Sequence, residues 1–351
     1  MERNTITTKQ YKTVLTNAIL NKLQFCFVGA PGIGKTKIFY QVVNDLIKEG
    51  HKIRVFTEIT SIKEPVDYSG LPFINAGECQ IMPMGLLKEI LKPFDGITII
   101  FLDDLGQCPA QVQNVLTQYI EDRKINGFDL PGKDTMLFMG ATNDKGHKAN
   151  VNGLAEQLKS RFDGMYYIEP DINDWSLWAY DNDIEPNLIA FMRSRPEYLV
   201  QQVFSNSLDM DTNPRNIESA SKVLKAFNHC PDLLPACISG CCGMAFAIEY
   251  MAFIDMIGLL PSQDSICLNP GTVPVPEDIP NMRPEMVACV TYVICSGLVK
   301  KADTINIDNI FAYVDRLEPE FQLLFTKELN HKKQDLTETD AFQKWIAKNA
   351  N

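Results

Sequence analysis

Residues 29–36 read Gly-Ala-Pro-Gly-Ile-Gly-Lys-Thr: a glycine, four residues, then Gly-Lys-Thr. Few strings constrain a fold as tightly. Gly29, Gly32 and Gly34 permit backbone angles that a side chain would forbid, so successive N–H groups can curl inward around phosphate oxygens. Lys35 supplies a cation for the outer phosphates, and the Thr36 hydroxyl suits a Mg²⁺ ion bridging them. The N-terminus of the helix that starts here adds its positive end. The context agrees: Phe25-Cys26-Phe27-Val28 reads as a buried strand, and Ile38, Val42, Val43, Leu46 and Ile47 recur at helical spacing before Gly50. Strand, glycine loop and helix together predict a nucleotide-phosphate site spanning Gly29, Ala30, Pro31, Gly32, Ile33, Gly34, Lys35 and Thr36.

The chain continues as alternating strands and helices, which implies a parallel α/β sheet. A helix over 5–21 presents Tyr11, Val14, Leu15, Ala18 and Ile19 on one face, with Thr7 or Thr8 as its cap. Lys52–Glu58 is the next strand. Residues 64–72 form a loop closing on a short helix, Phe73–Met82 a hairpin turning at Asn-Ala-Gly-Glu, and Met84–Leu91 a short helix. Residues 97–104, Ile-Thr-Ile-Ile-Phe-Leu-Asp-Asp, are an apolar run ending in two carboxylates. That is a buried parallel strand whose C-terminal tip reaches the ligand crevice, a Walker B signature. Asp103 would hold Mg²⁺, and Asp104 would activate the attacking water.

Ala110–Glu121 is a helix leading into a hairpin-like projection at Arg123–Phe128. Met136–Ala141 is a buried strand ending in Thr142-Asn143. Asn143 is placed either to hold the attacking water or simply to start a turn. Leu154–Phe162 is a short helix ending in Ser160-Arg161-Phe162, and Met165–Ile168 a fifth strand. Spacing alone makes Arg161 an ordinary solvated cation at a helix end.

Beyond Glu169-Pro170 helices dominate: Trp175–Asn182, Glu185–Arg193, Arg215–Phe227 and one from Leu234 to about Leu260. Asn213-Pro214 is a helix start, with Asn as cap and Pro at the first position. Residues 261–281, rich in Pro and Gly, read as a surface loop. Helices follow near Pro284–Ala302 and Ile307–Leu329, with a last one at 341–346 that Phe342 and Trp345 dock.

Taken together, these motifs occur in the order found in AAA+ ATPases, and within them the chain resembles the MoxR-like group of phage and bacterial genomes. The stretches that carry the resemblance are Gly29–Thr36, Glu64–Pro72, Asp103–Gly127, Gly140–Asn143, Ser160–Phe162 and Asn213–Arg215. The resemblance implies an AAA+ P-loop αβα core with a five-stranded parallel sheet over 1–168, a helical lid over 169–260 and an α-helical extension over 261–351. It implies ATP and Mg²⁺ as cofactors, with Asn143 as sensor 1, Arg161 as the arginine finger of a neighbouring subunit and Arg215 as sensor 2. It also implies a hexameric ring that remodels a protein partner, often one with a von Willebrand factor A domain, and places the two hairpins on the ring's working face. One departure stands out: the family usually ends Walker B in Asp-Glu, whereas this chain has Asp103-Asp104. Aspartate is shorter by a methylene, and misplacement near 1 Å costs about a hundredfold in rate, so slow hydrolysis is expected. A nucleotide-gated scaffold with little turnover is the alternative.

Composition bounds the rest. With 351 residues, 45% hydrophobic and 22% charged, the chain fits an ordinary soluble globular protein. Its net charge of −11 argues against a broad nucleic-acid surface, and so against a helicase or clamp loader. A small-molecule kinase finds no second-substrate site in the helical half. There is no leader-like apolar segment near the start, and the apolar stretch at 243–260 is broken by Glu249, Asp255 and Gly258. A cytoplasmic location follows as the expectation. The ten cysteines include no C-x-x-C pair, and His229, Cys230, Cys237 and Cys241 have the wrong spacing for common zinc sites. Reduced buried thiols are expected instead.

Overall fold

The computed structural model of the chain describes residues 4–144, 153–201, 210–258, 260–279, 284–302 and 306–349. It divides into two compact units, Met1–Trp175 with Asn213–Arg215, and Ser176–Thr212 with Asn216–Asn351.

Among its described residues the first unit carries ten strands: β1 (Thr5–Thr7), β2 (Phe25–Gly29), β3 (Ile53–Ile59), β4 (Leu71–Asn75), β5 (Glu78–Met82), β6 (Ile97–Asp103), β7 (Lys124–Ile125), β8 (Phe128–Asp129), β9 (Met136–Thr142) and β10 (Gly164–Glu169). Its helices are α1 (Thr8–Leu20), α2 (Lys35–Lys48), α3 (Pro65–Ser69), α4 (Gly85–Ile90), α5 (Ala110–Glu121) and α6 (Glu156–Lys159). Six strands form one sheet in the order β1-β10-β2-β9-β6-β3, all parallel. The expected parallel α/β sheet is thus present, with six strands where the motifs predict five.

The added strand is Thr5–Thr7, which helical periodicity assigns to the first helix. It holds three residues, and its pairing partner is Tyr167–Glu169, far along the chain. No local apolar run announces it. Thr7 ends the strand and caps α1, accepting from the backbone N–H of Gln10 at 3.3 Å, while the Gln10 side chain accepts from the Thr7 N–H at 2.8 Å.

The central strands are fully buried because both faces are covered. On one face, Leu102, Phe138 and Ile100 pack with Tyr68, Leu116 and Tyr119. On the other, Phe39 of α2 stacks on Phe101 with ring centroids 4.1 Å apart. Gly140 sits mid-strand because an added Cβ would lie 3.0–3.2 Å from Cys26, Leu105 and Phe162. Two hairpins project from this core. β4–β5 turns through Ala76 and Gly77, and β7–β8 through Asn126 and Gly127, all with positive φ as tight hairpin turns demand.

The second unit, among its described residues, is helical apart from one isolated bridge, Gln201 with Thr212. The expected helix from Leu234 to about Leu260 is two, Leu234–Cys242 and Met244–Ile257, broken at Gly243 with φ 85°. The expected helix Ile307–Leu329 is also two, Ile307–Val314 and Pro319–Lys332; Pro319 starts the second because proline cannot continue a helix. Within the expected loop at 261–281 lies a helix, Gln263–Leu268, capped by Ser262. Phe342 and Trp345 are buried in the core of this unit, Trp345 stacked on Phe311 at 4.9 Å and donating from its indole to Asp315 at 2.5 Å.

Candidate active site

Parallel strands bring their C-terminal tips to one edge, and here three tips meet. β2 runs into the glycine loop, β6 into Asp103-Asp104, and β9, which lies between them, into Asn143. Gly32 and Gly34 take φ of 77° and 98°, the left-handed region where a glycine is at home. Gly29 is needed for space: a Cβ there would stand 3.0 Å from the carbonyl oxygen of Ile168.

Lys35 is buried, and its ammonium donates to the carbonyls of Gly29 at 2.8 Å and Ala30 at 3.0 Å and to the Asn143 side-chain oxygen at 3.0 Å. Burial lowers its pKa to about 8, against the opposing pull of Asp103 and Asp104. The Thr36 hydroxyl donates to Asp103 Oδ2 at 2.7 Å, and Asp103 Oδ1 accepts from the Asp104 backbone N–H at 3.0 Å. Asp104 has left-handed backbone angles, φ 54° and ψ 32°. Burial, then the neighbouring Asp103, raises its carboxyl above the usual range, while Lys35 and Arg215 oppose the shift. Arg215 sits in the first turn of the helix Pro214–Ala226, and its backbone N–H donates to the Gly32 carbonyl at 3.2 Å.

Arg161 lies apart from this cluster. Gly164, three residues on, registers with Phe25 at the start of β2, whereas the glycine loop leaves from the end of that strand. A strand of this length spans roughly 15 Å. Arg161 Nε is 3.4 Å from Glu121 Oε2 at the end of α5, close enough for an ion pair but without hydrogen-bond geometry.

Two supporting residues carry no motif signal. Tyr11, fully buried in α1, donates its hydroxyl to the Lys35 carbonyl at 3.2 Å and packs its ring 4.5 Å from Phe27. In the sequence it reads only as an apolar helix position. Thr60, also fully buried, donates to the Asp103 carbonyl oxygen at 3.0 Å. A threonine just past a strand carries no signal of its own.

The donor set suits Mg²⁺. A hydroxyl and a carboxylate, both hard oxygens, leave the remaining positions to phosphate and water, as that ion prefers. The glycine loop, with two positive-φ residues and a third that has no room for a Cβ, is shaped for phosphate. No cluster of three or more His, Cys, Asp or Glu side chains suited to a metal occurs among the described residues, and the described cysteines are free thiols, with Cys79 exposed. Nor is any helix among the described residues long and apolar enough to cross a membrane.

Comparison with known proteins bears on the same region. Residues 24–162 match the model of the AAA domain, dynein-related subfamily. No curated protein matches the chain. Among solved structures, the Thermotoga maritima RuvB Holliday junction branch migration motor is 15% identical, with a TM-score of 0.34 over 75% of this chain and 75% of that one. NtrX from Brucella abortus in complex with ADP is 14% identical, with a TM-score of 0.41 over 84% of this chain and 64% of that one. Likenesses this distant carry no argument about mechanism. The first unit therefore has an AAA+ P-loop α/β fold, and its residues 24–162 are similar to the AAA domains of the dynein-related subfamily.

Proposed function

We propose that the chain binds Mg·ATP at the edge formed by Gly29–Thr36, Asp103, Asp104 and Asn143, and hydrolyses it as one subunit of a ring that remodels a protein partner, in the manner of the MoxR-like group. The observation that carries the reading is that three strand tips bring together two hydrogen-bonded pairs, Lys35 with Asn143 and Thr36 with Asp103. Thr36 and Asp103 would hold Mg²⁺, which supplies positive charge against the phosphates. Lys35 neutralises the outer phosphates, and the glycine-loop N–H groups orient them. Asp104 takes the proton of the attacking water; its raised proton affinity favours that role. Asn143 positions the water, and Arg215 faces the same cluster.

Arg161 is assigned to a neighbour's site. It leaves from the opposite edge of its own sheet, beyond its own side chain's reach of Lys35. A ring supplies the missing geometry, since each subunit can lend its arginine to the next. A protein partner is supported by the β4–β5 hairpin, where Ile74 is 81% exposed and Leu71 and Met82 are each 49% exposed. The acidic balance of the chain favours protein over nucleic acid. The lid and extension assigned to 169–260 and 261–351 belong to this reading.

Mixing tests it. Asp104→Asn and Arg161→Ala are each inactive alone, but a mixture regains ATPase activity, because some interfaces combine an intact Asp104 with an intact Arg161. A mixture no more active than its separate parts would remove the shared site.

A further inference from the structure

We infer that Asn213 is a positioning residue for the phosphate-binding loop, acting through its side chain on Gly32. This inference rests on the reading that the loop takes nucleotide.

Asn213, Pro214 and Arg215 pack with the first unit, while the residues on either side of them belong to the second. Thr212, just before them, is buried, exchanges backbone hydrogen bonds with Gln201 and donates its hydroxyl to the Cys242 carbonyl at 2.9 Å. Asn216, just after, donates from its side-chain amide to the Asp211 carbonyl at 2.6 Å. Between them, the Asn213 carboxamide occupies the space that a side chain at Gly32 would need: its Cγ lies 2.7 Å from where a Cβ would stand, and its Oδ1 is closer still. Two residues on, the Arg215 N–H donates to the Gly32 carbonyl at 3.2 Å.

Gly32 is thus gripped on two sides, through its carbonyl and across its bare α-carbon. Its φ of 77° decides which way the loop's next N–H groups point. A glycine on its own visits both signs of φ with similar ease. The Asn213 side chain removes that freedom, so the loop is set for phosphate before nucleotide arrives, and affinity gains from the ordering already done.

Asparagine before a proline at a helix start is also a common cap, so the test must separate the two roles. Serine caps equally well but is too short to cover Gly32. Three proteins are compared: wild type, Asn213→Ser and Asn213→Ala. Mant-ADP and ATP binding are measured in Mg²⁺, and thermal unfolding is followed without nucleotide. The expected result is unfolding of Asn213→Ser at the wild-type temperature with about five- to tenfold weaker binding of both nucleotides. Asn213→Ala is equally weak in binding and also less stable. A companion pair adds a second readout: Gly32→Ala binds poorly, and Gly32→Ala with Asn213→Gly recovers part of the loss. Wild-type affinity in Asn213→Ser overturns the inference and leaves Asn213 as a cap. Failure of the wild type to bind either nucleotide overturns the nucleotide reading, and this inference with it.

Discussion

The Thr36 hydroxyl donates to the Asp103 carboxylate at 2.7 Å and so closes the gap between two motifs 67 residues apart. Each motif alone is a sequence pattern; joined, they set a hydroxyl and a carboxylate side by side. Thr36→Val keeps the shape of the side chain and removes the hydroxyl. On the reading that the Thr36 hydroxyl holds Mg²⁺, ATP binding in Mg²⁺ should weaken roughly tenfold or more, while binding in EDTA changes little. Isothermal titration under the two conditions makes the comparison.

Tyr11→Phe leaves the buried Lys35 carbonyl without its phenol donor. The ring packing against Phe27 survives, so the change isolates one hydrogen bond. A loss of about 1 kcal/mol in unfolding free energy is expected, read from urea denaturation.

Gly243→Ala should destabilise the second unit. Gly243 holds φ 85° between two helices, and an added Cβ would meet the Met210 carbonyl at 3.0 Å. With ψ at 162°, this backbone lies in a region essentially reserved for glycine, and it costs an L-residue about 1–3 kcal/mol before the crowding is counted. Thermal unfolding of the variant should shift downward, with the ATP-binding affinity of the first unit unchanged.

Burial raises the Glu185 carboxyl above its ordinary value of 4.5, opposed by the backbone N–H of Leu188, which it accepts at 2.9 Å. A raised acid means the folded protein binds more protons than the unfolded chain in the window above 4.5. Its contribution to stability therefore falls as pH rises through that window. Glu185→Gln keeps an acceptor for the cap and abolishes the titration. Urea curves at about pH 4.5 and about pH 7.5 should show the variant gaining on the wild type at the higher pH.

How far the sequence reaches depends on how local each signal is. The glycine loop, the apolar strand into Asp103-Asp104 and both hairpin turns are set by residues adjacent in the chain, and the elements stand where the patterns put them. Thr5–Thr7 does not announce itself, because the strand it pairs with is more than 150 residues away. The break at Gly243 is hidden by unbroken apolar periodicity on both sides, since an isolated glycine can also sit inside a helix. Pro319 is the readable warning that Ile307–Leu329 divides. Within the site, the pairing of Lys35 with Asn143 and of Thr60 with Asp103 depends on strand order, which no single motif encodes. The position of Arg161 at the far edge is likewise a property of the sheet.

The central claim is a hydrolytic site shared between subunits, with Asp104 as its base. The most direct test is steady-state ATPase activity against protein concentration, with Asp104→Asn alongside. Specific activity that rises with concentration and vanishes in the variant is the predicted result. Tight ATP binding with activity no higher than the Asp104→Asn background, at every concentration, contradicts the claim and leaves a nucleotide-gated scaffold in its place.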